Sequence, residues 1–273
     1  MVLIGRHVSI AGSVDLAFDR ARELDCTAMQ IFVTNPRGWA MSQLVAGSEA
    51  AFRKKREETG IVSVAHMPYL PNIASSDRIA FSKSVESLVE NIERCGRLEI
   101  DYLVTHMGSH MGSGKEKGLE NVARAVAAAL ERSKKVKILL ENEAGHRNSV
   151  GNRIEDLVEV SDKVGDRRLG FCLDTCHLFA AGYDITDHGV LDGIFGSLNM
   201  SKVSAIHLND AKKGLGSCLD RHANIGYGHI GIEGFRRFLD YGGISSKVII
   251  LETPVGEDIS EADEITLARS LLF

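Results

Sequence analysis

Six residues of the kinds that bind metals or move protons recur along the chain at one rough interval. His66, His106, Glu141, Asp174, His207 and Glu252 are separated by 40, 35, 33, 33 and 45 residues. Each interval is about one strand-plus-helix unit of a βα repeat. Each residue also follows a short apolar run: IVSVA before His66, YLVT before His106, KILL before Glu141, LGFCL before Asp174, VSAI before His207 and VIIL before Glu252. Read as strands, these runs aim an imidazole or a carboxylate at one common mouth. A lone histidine at a strand end reads as a packed or capping residue. Three imidazoles and three carboxylates converging are different, because buried carboxylates are costly unless paired or metal-bound. The expectation is a multi-metal site. His7 and Phe32 close the first two strands, and His7 stands at the same rim.

A second set lies on the loops beyond. In FCLDTCHLFAAGYD (171–184), His177 follows Asp174 by three residues, in the turn after the strand. In HLNDAKKGLGSCLDRHANIGYGHIG (207–231), Asp220 and His222 are two apart, which puts both on one face of an extended segment. His177, Asp220 and His222 thus read as a second ligand cluster over the mouth. Zinc takes about four ligands. Nine are too many for one ion and suit three if one carboxylate bridges. The mixed imidazole and carboxylate set favours Zn2+ or Mn2+ over Mg2+ or Ca2+. Cys172 and Cys176, on either side of Asp174, read as buried small hydrophobes rather than ligands. His110 and His146 stand on loops of the same face, within reach of substrate or water, and read by default as residues that support the ligands from behind.

The elements that position these residues are legible as alternating patterns. Expected strands are Leu3–Val8, Ala28–Val33, Ile61–Ala65, Tyr102–Thr105, Lys137–Leu140, Leu169–Leu173, Val203–Ile206 and Val248–Leu251. Between them, apolar residues recur at helical spacing over 13–25, 43–60, 77–99, 119–135, 153–163, 189–199, 232–241 and 259–271. Strand then helix, eight times over 273 residues, predicts an α/β fold: one (β/α)8 TIM barrel covering 1–273, with the metal site at the C-terminal mouth of the strands and a doubly wound open sheet as the structural alternative. The 44% hydrophobic and 25% charged composition excludes a disordered chain. The apolar runs fall far short of the roughly 20 residues that span a bilayer, so no membrane partner is expected. The run before Gly5 and Arg6 is too short for a secretory leader. Five cysteines suggest no disulfide scaffold and a reducing compartment, the cytoplasm.

A three-metal site has a natural substrate in the phosphodiester, since a bridged pair can activate hydroxide and hold a phosphate oxygen. The net charge of −5 argues against non-specific coating of nucleic acid, but three divalent ions reverse the sign locally. Lys115, Lys117, Arg147, Lys212, Lys213 and Arg221 fall on expected loops of that face and line a path for a nucleic-acid backbone.

At this point the sequence resembles a known family, the endonuclease IV enzymes, metal-dependent apurinic/apyrimidinic endonucleases of the xylose-isomerase-like barrel superfamily. The motifs that carry the resemblance are NPRGW (35–39), AHMPYLPNIAS (65–75), THMGSH (105–110), LLENEAG (139–145), LDTCHLFAAGYD (173–184), HLNDAK (207–212), DRHANIGYGHIG (220–231) and LETP (251–254). The resemblance implies three Zn2+, with Mn2+ an alternative at one or more sites. His66, His106 and Glu141 would hold the first. Glu141 as a bridge, with Asp174, His207 and Glu252, would hold the second. His177, Asp220 and His222 would hold the third. It implies cleavage 5′ to abasic sites in double-stranded DNA, leaving a 3′ hydroxyl and a 5′ deoxyribose phosphate, and trimming of blocked 3′ ends. Glu141 would hold the attacking hydroxide. The abasic sugar would be flipped out and the gap filled from the early loops, where Arg37 and Tyr69 match, while Lys212 and Arg221 contact the backbone. A monomer suffices for this chemistry.

The sequence departs from the family's usual pattern at Met107, Glu143, His146, Tyr227 and His229. None is a ligand position, so the departures bear on tuning of the metals and on damage preference. Two rival readings remain. A sugar isomerase or epimerase on the same barrel would use one or two metals and leaves His177, Asp220 and His222 without a role. A lesion-binding protein that has lost turnover is at odds with an intact ligand set.

Overall fold

The computed structural model describes residues 2–35, 38–39 and 44–272. Eight parallel strands close into a barrel. They are β1 (Leu3–His7), β2 (Ala28–Phe32), β3 (Val62–His66), β4 (Tyr102–His106), β5 (Lys137–Glu141), β6 (Leu169–Asp174), β7 (Val203–His207) and β10 (Val248–Leu251), with β1 pairing β10 to complete the ring. Two short strands, β8 (Asp210–Ala211) and β9 (His222–Ala223), form a separate antiparallel ribbon. The helices between the strands are α1 (Leu16–Glu23), α2 (Ser48–Thr59), α3 (Arg78–Leu98), α4 (Lys115–Arg132), α5 (Ile154–Val164), α6 (Thr175–Ala180), α7 (His188–Ser197), α8 (Gly231–Asp240) and α9 (Glu261–Ser270). Among the described residues, no helix is long and apolar enough to cross a membrane.

Strand period explains how the barrel presents its polar residues. Side chains two apart share a face. Ala28, Val64, Val104, Leu139, Cys172, Ala205 and Ile250 pack together inside the barrel. Two residues further on, the same face carries Gln30, His66, His106, Glu141, Asp174, His207 and Glu252. The plug of small apolar side chains is therefore the floor of the polar mouth. The opposite parity (Ile4, Met29, Ile31, Ala65, Leu103, Ile138, Leu140, Leu173, Ile206 and Ile249) packs outward against the helix ring. The helices answer with apolar stripes, such as Leu88, Ile92, Cys95 and Leu98 on α3 and Leu119, Val122, Val126 and Ala129 on α4. Gly5 shows how close neighbouring strands come: a Cβ there would lie 1.6 Å from the Ala28 carbonyl oxygen, so only glycine fits.

The expected strands are present, but five of them end one residue later than the apolar pattern suggests, on His66, His106, Glu141, Asp174 and His207 themselves. Ladder hydrogen bonding continues to the polar residue, so these side chains belong to the rigid sheet rather than to the loops. The segment after β6 also differs from the expected turn. It is the short helix α6, begun by Asp174, whose Oδ1 accepts the His177 N–H at 2.7 Å as an N-cap.

Candidate metal centre

Glu141, fully buried at the end of β5, organises the mouth. Its Oε2 lies 3.0 Å from His66 Nε2 and 3.5 Å from His106 Nε2. Its Oε1 lies 2.9 Å from His207 Nδ1, which is also 3.1 Å from Glu252 Oε2. The two oxygens thus belong to two groups of donors. His66, His106 and Glu141 form the first, and Glu141, Asp174, His207 and Glu252 the second, with donor atoms inside each group within 4.8 Å of one another. Asp174 links the second group to the loops, because its Oδ2 stands 3.6 Å from His222 Nε2. His177, Asp220 and His222 form a third group on the same 4.8 Å criterion. Asp220 spans it, with Oδ2 at 3.4 Å from His177 Nε2 and Oδ1 at 3.1 Å from His222 Nε2.

The third group is assembled by local devices. α6 carries His177 back over the barrel. The β8–β9 ribbon pairs Ala211 with His222 and Asp210 with Ala223, which brings the long loop home to the rim. Asp210, fully buried, accepts backbone N–H groups from Ala211, Gly226, Gly228, Ile230 and Gly231 at 2.8–3.3 Å. A Cβ at Gly228 would lie 2.4 Å from Asp210 Oδ1, so the loop can wrap this carboxylate only with glycine there.

Three of the ring orientations are set from behind by backbone carbonyls. His66 Nδ1–H donates to Met67 O at 2.6 Å, His177 Nδ1–H to Asn142 O at 2.9 Å and His222 Nδ1–H to Glu252 O at 3.1 Å. This tautomer leaves Nε2 of each ring as a lone pair turned to the mouth. The Nε2 atoms of His177 and His222 are buried without a hydrogen-bond partner. Buried polar atoms are rarely left so. Orphaned imidazole nitrogens beside buried carboxylates are what a divalent cation of nitrogen and oxygen preference satisfies, so the residues present fit zinc or manganese.

Without a cation, protons must supply the positive charge. Burial opposes protonation of His106, yet the Glu141 and Glu143 carboxylates push it up to about 9. Burial likewise opposes protonation of His222, and Asp174 and Asp220 push it up to about 9. His177 and His207 rise well above their usual value against burial, under neighbouring carboxylates and, for His207, the Cys172 sulfur. Glu141 stays well below its usual range, because the His106 and His207 charges outweigh its burial.

Several residues of the mouth gave no signal as ligands. Gln30 accepts from His207 Nε2 at 2.8 Å and donates to Glu252 Oε1 at 2.6 Å. Asn209 donates to Asp174 Oδ2 at 2.6 Å and accepts from the Glu252 N–H at 2.8 Å. For Gln30 the usable signal was parity, since it stands two residues after Ala28 on the inward face. His7 lies at the rim, 3.6 Å from Glu252 Oε1. The Cys176 thiol does come into range of Asp174 and His222. Burial pushes that thiol far up, the Asp174 charge adds to it, and the sulfur stays protonated.

Of the expected DNA contacts, Arg37 lies outside the described residues. Tyr69 is 63% exposed at the rim, its ring centroid 5.6 Å from that of His66 and 5.9 Å from that of His106. Arg221 is exposed and its Nη1 donates to the Asp220 carbonyl at 2.7 Å. Lys212 is ion-paired with Glu257.

Comparisons with known proteins agree with this geometry. The sequence model of the xylose isomerase-like TIM barrel family matches residues 18–271. A probable endonuclease 4 of Methanoculleus marisnigri is 45% identical over 279 residues, covering 99% of each chain. Another, of Nitrosopumilus maritimus, is 41% identical over 97% of this chain and 98% of its own. The crystal structure of endonuclease IV from Thermus thermophilus superposes with a TM-score of 0.88 at 36% identity, covering 98% of each chain. A D-tagatose 3-epimerase-like protein superposes at 0.75 with only 21% identity, over 100% of this chain and 97% of its own, which is likeness of fold alone. Near-complete coverage at over 40% identity decides between these neighbours: the chain is an enzyme of the endonuclease 4 family, within the xylose isomerase-like TIM barrels.

Proposed function

We propose that this enzyme hydrolyses the phosphodiester 5′ to abasic sites in double-stranded DNA, leaving a 3′ hydroxyl and a 5′ deoxyribose phosphate, and that it trims blocked 3′ ends in base excision repair. The observation that carries the reading is the pair of carboxylates shared between groups. Glu141 turns one oxygen to His66 and His106 and the other to His207, and Asp174 reaches from the second group to His222. Adjacent sites joined by a carboxylate suit one phosphodiester, whose attacking and leaving oxygens both need stabilising.

His66, His106 and Glu141 would hold the first zinc ion. Glu141, Asp174, His207 and Glu252 would hold the second, and His177, Asp220 and His222 the third, with manganese an alternative at any of them. When bound, the metals supply Lewis acidity and a nucleophile that forms at neutral pH. The protein's own part is placement. Glu141 is the catalytic carboxylate, fixing the first two groups against each other and holding the attacking water as a hydrogen-bond acceptor. Three divalent cations exceed the charge of the four carboxylates in the groups, so the mouth attracts a phosphate. Tyr69, exposed at the rim, is assigned to fill the gap left by a flipped abasic sugar, which costs little to flip because no base is unstacked. Arg37 is assigned the same task. Of the two loop cations, Arg221 offers its guanidinium to the backbone, whereas Lys212 must first leave Glu257. All three groups are complete within one chain, so a monomer suffices, and DNA as substrate fits a cytoplasmic enzyme whose five cysteines are unpaired.

The test is a labelled duplex with a single tetrahydrofuran residue, which cannot undergo β-elimination. The expected result is one cut 5′ to the lesion with an extendable 3′ hydroxyl, abolished by chelation and by Glu141→Gln. A zinc-loaded protein that leaves this duplex intact overturns the proposal. A sugar isomerase would require only the barrel groups and leaves the third unexplained.

A further inference from the structure

The five histidines of the three groups are not backed alike. His66, His177 and His222 donate their rear N–H to backbone carbonyls, and His207 faces the neutral Gln30 amide. The rear nitrogen of His106, Nδ1, instead faces a carboxylate, Glu143 Oε1, at 3.2 Å. That carboxylate is itself held. Glu143 Oε1 accepts the Gly108 N–H at 3.1 Å, and the Glu143 backbone N–H donates to Gly151 O at 2.9 Å. Gly108 is fixed in turn: its carbonyl accepts the Val150 N–H at 2.9 Å, and with φ of +88° and Asn72 Oδ1 only 2.4 Å from where a Cβ would stand, glycine alone fits there. His106 also differs in exposure. Its side chain is 24% exposed, against 1% for His66, 3% for His177 and none for His207. It borders a cavity of about 320 Å3 lined by Tyr69, Asn72, Ser109, Glu143 and His146. The imidazole with least packing to hold it is thus the one given a charged partner.

We propose that Glu143 is a positioning residue for the first metal. It fixes His106 in the tautomer that presents Nε2 to Glu141 and raises that nitrogen's donor strength by the negative charge behind it. This rests on the reading of His66, His106 and Glu141 as a metal group. Glu143 touches neither the phosphate nor a metal and acts through His106 alone.

The experiment is zinc binding by the full chain, measured by competition with a chromophoric chelator and by metal content after dialysis. No DNA is present, so it is independent of cleavage. Glu143→Ala is expected to weaken one of three zinc equivalents by about 10- to 100-fold and leave the other two unchanged. Glu143→Gln keeps an acceptor for Gly108 and His106 but removes the charge. It is expected to fold, with a chelated melting temperature lowered only below about pH 9, where the His106–Glu143 charge pair is lost, and to weaken the same zinc equivalent about tenfold. Glu143→Asp should restore part of the loss. Cobalt-loaded Glu143→Gln should show an altered ligand-field spectrum at that one site. Wild-type affinity for all three equivalents in Glu143→Gln overturns the inference, because the charge then has no effect on the metal. A wild-type chain that retains fewer than three equivalents overturns the metal reading beneath it instead, so the two failures are distinguishable.

Discussion

The barrel donors and the loop donors reach the same mouth by different means. His66, His106, Glu141, Asp174 and His207 are the final residues of β3 to β7, and Glu252 follows β10 directly. Their directions are set by strand parity, and their spacing by a closed ring of paired strands whose inner face is filled below by Ala28, Val64, Val104 and Leu139. His177, Asp220 and His222 have no such frame. They rest on a six-residue helix capped by Asp174, a two-residue ribbon, and the buried Asp210 that gathers five backbone N–H groups. The barrel group is therefore as stable as the fold, whereas the loop group is as stable as its local hydrogen bonds. One shared scaffold can host epimerases and endonucleases because the loops change and the ring does not.

The largest effect should come from the residue that joins the groups. Glu141→Gln is expected to lower the rate of incision about 10³-fold or more, since it takes the negative charge from the one donor common to both barrel groups. Metal analysis should show the loop group still loaded, because none of its three donors is Glu141. Loss of all bound metal in this variant would mean that the two regions are not separable.

Asp210→Ala addresses the other region. It orphans the N–H groups of the 226–231 loop and should destabilise the protein by about 2–4 kcal/mol. Zinc content should fall by one equivalent while the barrel retains its own. Denaturant unfolding with metal analysis on the same sample checks both. A destabilised variant that keeps its full metal complement would break the link between Asp210 and the loop donors.

How far these two regions were legible beforehand follows from the same contrast. The interval between His66, His106, Glu141, Asp174 and His207 is a property of the repeat, so it stands in the sequence as spacing. His222 and Asp220 were visible through their period of two. The support was not. Asp210 has an ordinary turn-like neighbourhood in sequence, and its five partners lie up to 21 residues away. Gln30 carries the inward parity but a neutral side chain, which no ligand pattern selects. Helix α6 was hidden because six residues are too few to show a helical period, and its start depends on a cap supplied by a residue already read as a ligand.

The pH dependence of the chelated protein should separate proton binding from metal binding. His106 and His222, raised from 6.5 to about 9, contribute stability that is complete below pH 6.5 and is lost as the pH climbs towards 9. Glu141 and Glu252, both held below their usual 4.5, contribute stability that is lost as the pH falls below that value. The melting temperature of chelated protein should therefore peak between about pH 5 and 6.5. The rise in melting temperature on adding zinc should grow from pH 6.5 to 9, as the metal displaces fewer protons. A chelated protein whose stability climbs over that interval would contradict the charge pattern.

The smallest expected effects concern the loop cations. Arg221→Ala should weaken binding to abasic duplex by a few-fold and reduce the salt dependence by about one phosphate contact. Lys212→Ala should do less, because Glu257 already takes its charge. Fluorescence anisotropy over a salt series compares them, and a larger loss from Lys212 would reverse the assignment.

The most direct test of a mouth shared by barrel and loops is a zinc titration of chelated protein with incision of the tetrahydrofuran duplex read at each point. Activity is predicted to stay near zero through the first two equivalents and to rise with the third. Full activity at one or two equivalents would show that the barrel acts without the loop group, and would contradict the account.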